Sequence, residues 1–432
     1  MERLIIHNLG PVDECDIDIE NYMVFTGPQA SGKSTVAKAF FFFNDLENAL
    51  RHIFYNRFIK MENNAKSLEE LFRSEIRVKF VQVYGDDLIY GKAGFQLKYF
   101  YDSEMSISIC REEENRSPDA MRVEISDGII RYIDKVEEWC KSCNDPMELS
   151  LNIGFRLTGV LGKTRNVVYI PAGRSVLTSL RSQIDYVYLS MEHNQRDEID
   201  YGMRYFIEMA IKIRSLFENG PKGLYKKSKN SGDLKISENI VERAISLMDN
   251  ILQGQYRNSS GIDYLDILDS HSIHLSHASS GQQEAVWILN FLYYYFLREE
   301  STMFIIEEPE SHLFPNAQKL ITEFITLVKN GKNSVVLTTH SPFVLGSINN
   351  LLYANRVSRM VDIGKLDHII PKELWLDFDE LGAYYIENGK FHNMKDPEYE
   401  DIDHGLIDRT SVDINDAYDQ MIELKEATNG EV

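Results

Sequence analysis

The chain has 432 residues, enough for two or three compact lobes with a substantial core. Its hydrophobic (43%) and charged (26%) fractions are those of an ordinary globular protein, and no apolar run reaches the roughly 20 residues that span a bilayer. A formal charge of −21 argues against sequence-blind wrapping of a phosphate backbone, which needs clustered Lys and Arg, but leaves room for a local basic groove.

Three strands are expected first. "RLIIHNL" and "YMVFTG" are apolar runs, and Asp13 to Glu20 between them alternates with period two, the pattern of a half-exposed hairpin strand. This opening has no extended apolar region with a small-residue cleavage site, so the cytoplasm is the expected compartment. Gly27-Pro28-Gln29-Ala30-Ser31-Gly32-Lys33-Ser34 follows at once and fits G-x-x-x-x-G-K-[ST] in full. Gly27 and Gly32 let backbone amides turn inward on phosphate oxygens at the positive end of the next helix. Lys33 is placed to reach the β- and γ-phosphates of a nucleotide and Ser34 to ligate Mg2+, with Thr35 completing the contacting run.

The helical run after Lys33 contains Phe40, Phe41, Phe42 and Phe43, which are expected to fill a seam against neighbouring elements. A β-rich group follows, "IRVKFVQVYG", "FQLKYFYD", "MSISICREE" and "MRVEIS", then a helix around Ile130 to Cys143 and the strand "NVVYIPAGRS". Four cysteines, Cys15, Cys110, Cys140 and Cys143, are too few for a disulfide scaffold. Cys140 and Cys143 form half of a four-thiolate site, read as reduced thiols with a zinc ion shared between two protomers as the alternative. From about Ser179 to Leu252 the pattern is mainly helical, interrupted by Gly220 to Lys235. That stretch, with five lysines among Gly, Ser and Asn, reads as a mobile loop, either solvated or contacting nucleic acid or a partner.

Alternation returns in "IDYLDILDSHSIHLSHAS", followed by the helix "GQQEAVWILNFLYYYFLREE". Ser279, Ser280 and Gly281 at its start form an N-cap and anion-binding turn, with Glu284 as a capping-box-like partner. The strand "TMFIIEE" then carries Glu307 and Glu308 to its carboxyl end, where open α/β sheets place ligands. Two adjacent acids there suit one carboxylate near Mg2+ and one polarising an attacking water. A helix, the strand "NSVVLTTH" and an α/β tail complete the chain. The acidic stretch after His392 is expected to end in an exposed amphipathic helix.

The succession "GPQASGKST", "SHASSGQQE", "FIIEEPESHLFP" and "VVLTTHSP" resembles the head of an ABC-type ATPase, in the branch of RecF, SMC and OLD-like proteins. The resemblance implies an α/β fold: a P-loop mixed sheet with an antiparallel β subdomain and an inserted helical arm. It divides the chain into an N-terminal ATPase lobe (1–178), a helical insertion (179–258), a C-terminal ATPase lobe (259–390) and an acidic tail (391–432). The four motifs become Walker A, the signature, Walker B with the D-loop, and the switch histidine. Carried across, Gly27 to Thr35 hold ATP, Ser279 and Gly281 contact the γ-phosphate held by the other subunit's Lys33, and Ser280 and Gln282 complete that nucleotide-binding turn. Glu307 is the metal-side acid and Glu308 the base-like residue. Ser311 and His312 lie in the D-loop, and His340 senses the γ-phosphate.

Gln82 is a candidate Q-loop ligand on the Mg2+ side, with a plain strand residue as the other reading. Arg174 is expected to face either the nucleotide or the arm. The family usually has Gly at the position of Ser280, a basic residue at Gln283 and Asp at Glu307, so slow turnover is compatible with the pattern. The implied cofactors are ATP and Mg2+, and the implied assembly is a homodimer closing on two ATP molecules, with higher oligomers open. A separate nuclease or toxin is the expected effector, as beside the compact ATPases of bacterial anti-phage systems. A RecF-like DNA-repair ATPase using the arm on nucleic acid, and a scaffold locked by ATP, stay as alternatives. Asp401-x-Asp403 lies in a polar stretch rather than at a strand end, so a built-in nuclease is not expected.

Overall fold

The computed structural model describes residues 1–61, 65–85, 94–112, 120–163, 165–175, 177, 188, 190–192, 195–196, 198–230, 232, 234–267, 271–403, 405, 414–422 and 424–425. Residue 179, the expected start of the helical insertion, lies outside them.

An eleven-stranded mixed sheet organises the molecule. Its parallel part contains β3 (Tyr22–Thr26), β7 (Asn166–Ile170), β11 (Thr302–Glu307), β12 (Ser334–Thr339) and β13 (Leu381–Glu387), in the order β13-β3-β12-β11-β7. Its antiparallel part runs β6-β5-β4-β1-β2, from β1 (Arg3–Leu9), β2 (Val12–Asp18), β4 (Phe95–Phe100), β5 (Ser106–Arg111) and β6 (Arg122–Ile125). The short β14 (Lys390–Asn393) joins the two parts. The parallel strands are buried on both faces, and their side chains divide between two cores with period two. Tyr22 and Val24 of β3 enter one core with Phe304 and Ile306 of β11, while Met23 and Phe25 enter the other with Met303 and Ile305.

Four helices cover the second core: α1 (Lys33–Phe58), α2 (Leu68–Tyr84), α3 (Asp127–Ser142) and α4 (Pro146–Leu157). The four phenylalanines of α1 are fully buried, with Phe41 stacked on Tyr169 and Phe42 edge-on to Phe80. The other face carries α5 (Tyr201–Arg214), α6 (Gly220–Asn230), α7 (Glu238–Leu252), α8 (Ser280–Arg298), α9 (Pro315–Asn330) and α10 (Pro342–Val357). A separate three-stranded sheet contains β8 (Gly254–Ser259), β9 (Ile262–Ile267) and β10 (Ser272–His274).

Two expected elements change type. "IRVKFVQVYG" is the second half of α2, not a strand. Ser67 and Glu70 close a capping box at its start, and Phe72, Ile76, Phe80 and Val83 recur with helical spacing on its buried face. The lysine-rich stretch expected as a loop is largely the helix α6. Pro221 supplies a fixed φ in its first turn, and the Tyr293 hydroxyl donates to the Pro221 carbonyl from α8 at 3.2 Å. Its lysines are drawn to nearby acids, Lys227 to Glu218 (3.9 Å) and Lys229 to Glu238 (3.2 Å).

The described helices of the insertion lie on the sheet: Phe206, Val241 and Met248 share a core with Val168 and Phe304. The β8–β9 hairpin spans residues 258 and 259, and β14 spans residues 390 and 391, so two of the expected domain boundaries fall inside elements. Residues 414–422 are helical and exposed.

Candidate nucleotide site

The site forms where β3, β11 and β12 end side by side. The loop Gly27–Gly32 leaves β3 under the backbone of β13. At Gly27, φ is +141° and an added Cβ would stand 2.2 Å from the Ile386 carbonyl oxygen, so only glycine fits. Ala30 adopts the left-handed region (φ 58°), which helps curl the loop back on itself. Pro28, Gln29, Ala30 and Ser34 are exposed, whereas Ser31, Gly32, Lys33 and Thr35 are buried.

Lys33 folds back into the loop. Its ammonium donates to the carbonyls of Gly27 (2.9 Å) and Pro28 (2.7 Å) and reaches Ser31 Oγ at 3.5 Å. Burial pulls its pKa down to about 8, against the opposing pull of Glu308, Glu310 and Glu307. These are the donors a phosphate would take over from neutral carbonyls.

Glu307 ends β11 and is buried; its Oε2 accepts from the Ala172 amide at 3.2 Å. Its Oε1 has no hydrogen-bond partner among the described residues, although the buried Tyr169 hydroxyl lies close enough to be disfavoured in ionised form by this carboxylate after burial itself. Glu308 has left-handed backbone (φ 44°), unusual for a long side chain, and its amide donates to the Thr338 carbonyl at 2.9 Å. That turn leaves its carboxylate half-exposed, 3.7 Å from His340 Nε2 and within 3.3 Å of Ser311 Oγ.

His340 follows β12. Burial and then Lys33 push its pKa below the usual histidine range, while Glu308 and a hydrogen bond to the Gly27 backbone oppose them. Glu310, which the sequence reading missed, fixes this corner. Its buried Oε1 accepts from the His340 amide (2.6 Å) and Thr339 Oγ1 (2.8 Å). Burial raises its pKa against those hydrogen bonds. The signal available was a third acid in "EEPES", which by itself looks solvated.

The structure thus brings Gly27, Lys33, Glu307, Glu308 and His340 together. Ser279, Ser280, Gly281 and Gln282 sit apart from them: among the described residues no hydrogen bond or ion pair joins this turn to Gly27–Thr35. Ser279 caps α8, but its capping-box partner is Gln282, with the Ser279 amide donating to Gln282 Oε1 at 3.0 Å. The expected partner Glu284 is buried and turned towards Arg174 instead.

Arg174 faces neither a nucleotide nor an arm. It is fully buried and donates to the carbonyls of Pro171 (2.6 Å), Glu307 (2.6 Å) and Glu308 (2.9 Å). Gln82, expected on a strand, lies exposed near the end of α2. Two residues on, the Tyr84 hydroxyl donates to the Thr35 carbonyl at 3.2 Å, so α2 approaches the first turn of α1 without presenting Gln82 to the carboxylates.

A model of the family described as "AAA ATPase domain" matches residues 1–152 and 160–345. The chain belongs to this AAA ATPase domain family. It is also similar to solved SMC heads, one from Thermotoga maritima (10% identity, 90% of this chain and 97% of that chain, TM-score 0.36) and one from Pyrococcus furiosus bound to the C-terminal domain of ScpA (11%, 91% and 96%, 0.39). A RecF structure shows the same order of likeness (10%, 91% and 97%, 0.36). No curated protein matches the chain.

An AAA ATPase domain implies a bound nucleotide, typically with Mg2+. The residues fit both. The loop offers the ammonium of Lys33, and the exposed Ser34 and the unpartnered Glu307 Oε1 are hard oxygen donors. No three His, Cys, Asp or Glu side chains converge as a metal cluster among the described residues. Cys140 and Cys143 are free thiols.

Proposed function

We propose that this chain binds and hydrolyses ATP as a nucleotide-gated homodimer, in the manner of RecF- and SMC-like heads. One observation carries the reading. The half-exposed carboxylate of Glu308, the imidazole of His340 and the phosphate loop with Lys33 meet at one corner, formed by strands that end together. Bound Mg2+ supplies charge neutralisation for the phosphates. Lys33 exchanges its loop carbonyls for β- and γ-phosphate oxygens. Ser34 and Glu307 hold the metal side. Glu308 polarises the attacking water, and His340, kept neutral by burial and Lys33, presents an N–H where charge develops. The Ser279–Gln282 turn, in which Ser279 and Ser280 are exposed, is the piece left for a second copy to use.

A separate effector, a nuclease or toxin as beside the ATPases of anti-phage systems, rests on the motif order alone. No helix among the described residues is long and apolar enough to cross a membrane. The test measures mass by light scattering, with and without Mg-ATP, alongside phosphate release. Wild type should hydrolyse, Glu308→Gln should accumulate as an ATP-bound dimer without turnover, and Lys33→Ala should lose nucleotide binding. An unchanged mass and equal nucleotide affinity for all three would refute the assignment. Strong, salt-sensitive DNA binding by the pure chain would move the reading to a repair ATPase.

A further inference from the structure

Arg174 belongs to none of the motifs, yet it is the centre of the most deeply buried polar network beside the site. Its side chain is fully shielded from solvent. One end of the guanidinium grips the backbone of the loop after β7 and of Glu307; the other grips the Glu308 carbonyl and Glu284 Oε2 at 3.3 Å. Three segments far apart in sequence therefore share one rigid, planar fork.

From Glu284 the contacts continue. Glu284 lies in the first turns of α8, and its Oε1 is 3.9 Å from His312 Nε2. The backbone of His312 in turn lies against Gly281, where an added Cβ would stand 2.5 Å from the carbonyl oxygen. Ser311, one residue earlier, bonds the Glu308 carboxylate. The result is a closed circuit: Glu308, Arg174, Glu284, His312, Gly281, and back through Ser311. It joins the water-facing acid of one pocket to the turn that, in the homodimer proposed above, caps the other pocket.

We infer that Arg174 is a positioning residue which couples the two nucleotide sites of the dimer, holding the end of β11 and the start of α8 as one unit. The inference rests on the dimer reading above. Stability alone is a poor account of this arginine. Its Nε has no acceptor among the described residues, and a well-packed apolar group in place of a buried ion pair is often no less stable. A planar fork fixes the relative position of the Glu307 and Glu308 peptides, and any rotation of that turn is passed through Glu284 to α8. Coupling through such a link requires a demonstrated energetic linkage, and a double-mutant cycle supplies it.

The experiment uses the full chain as wild type, Arg174→Lys, Glu284→Gln and the double variant. Each is assayed for ATP affinity, for kcat and KM, for the Hill coefficient of hydrolysis, and for cooperative thermal unfolding. Arg174→Lys keeps the charge but loses the fork; Glu284→Gln keeps shape and loses charge. Both should bind ATP like wild type, lower kcat by about 10–100-fold and give hyperbolic instead of cooperative rate curves. The double variant should be no worse than the more damaged single one. Wild-type kcat and cooperativity in a folded Glu284→Gln protein would overturn the coupling, and so would additive losses in the double variant. Should Arg174→Lys fail to unfold cooperatively, Glu284→Gln decides alone. A wild type that hydrolyses ATP without any ATP-dependent dimer would instead refute the dimer reading and remove the ground for the inference.

Discussion

Gly281 offers a sharp test of how the turn at the start of α8 is held, because two effects of opposite sign meet there. Alanine is a better helix former than glycine by about 1 kcal/mol, so Gly281→Ala in the first turn of α8 should stabilise the chain if nothing stood nearby. Something does. The new methyl would sit 2.5 Å from the His312 carbonyl oxygen and 3.2 Å from both its carbon and Leu313 Cδ2. A carbon and a carbonyl oxygen settle no closer than about 3.3 Å, so the helix start and the D-loop must part by about 0.8 Å. Leu313 Cδ2 is a side-chain tip that can give way, but the nearest atoms, the carbonyl oxygen and carbon of His312, are backbone. Forced overpacking of this kind costs about 1–3 kcal/mol, which outweighs the propensity gain and leaves a net loss of up to about 2 kcal/mol.

Urea unfolding measures the stability change, provided the m value is unchanged. The functional consequence follows from the same displacement. Pushing His312 away from α8 loosens its approach to Glu284 and shifts Ser311 against Glu308, while Gly27 to Thr35 are untouched. Nucleotide binding by the phosphate loop of a single chain should therefore hold, and turnover should fall by about tenfold or more, as when a positioning contact near the chemistry is displaced by ~1 Å. A variant more stable than wild type by about 1 kcal/mol, with unaltered turnover, would refute the reasoning.

Two further outcomes follow from ionisation and burial. Lys33 titrates near 8 while its ammonium is held only by loop oxygens, and phosphate favours the charged form. Nucleotide binding should then take up a proton above that pH, with affinity falling by up to about tenfold per pH unit and staying flat below about pH 7. Because the folded pKa lies below the ordinary 10.5, the folded chain binds fewer protons than the unfolded chain between the two values, so this group makes stability rise with pH there. Lys33→Arg should abolish the pH dependence of affinity, and calorimetry in buffers of differing ionisation enthalpy checks the proton uptake. Burial pushes the Cys140 thiol up to about 12, whereas Cys143 is half-exposed. Alkylation at about pH 8 should label Cys143 and spare Cys140 in the folded chain, and equal labelling, read by mass spectrometry, would contradict that packing.

The motifs that carry the chemistry are local, and local signals are legible. A doubly buried strand reads as "YMVF", a phosphate loop as two glycines and a lysine at fixed spacing, and a helix as apolar residues at three and four apart. Where the reading failed, two local signals conflicted or the partner was remote. In α2 the β-branched and aromatic tail "VKFVQVY" outweighed the Ser67–Glu70 capping box, although Phe72, Ile76 and Phe80 already had helical spacing. In α6 the lysines and Gly223 looked like a solvated loop, because the surface of α8 and β8 that buries Pro221 and Leu224 comes later in the chain. Arg174 and Glu284 are 110 residues apart, and nothing in either neighbourhood announces the other. Buried polar pairs satisfy one another across the fold, so their meaning exists only after the fold has formed.

The same remoteness shapes the site itself. The strand that delivers the phosphate loop, β3, is the second to last of the parallel strands in spatial order, and both its neighbours come from the far end of the sequence: Tyr22 pairs with Val335 on one side and with Leu381 on the other. The Gly27 backbone is pressed under Ile386, so the curvature of the loop depends on β13 being in place. Glu310 then fixes the His340 amide from the end of β11, and Arg174 fixes the Glu307 and Glu308 carbonyls from the loop after β7. The phosphate loop, His340 and the two acids of β11 are thus each held by a segment other than their own. Closing these long loops is entropically slow, but it has a consequence for function. A nucleotide that pulls on Lys33 pulls on strands rooted in both halves of the chain, and a displacement at the Glu308 peptide is carried to the first turns of α8 by the buried Arg174–Glu284 pair.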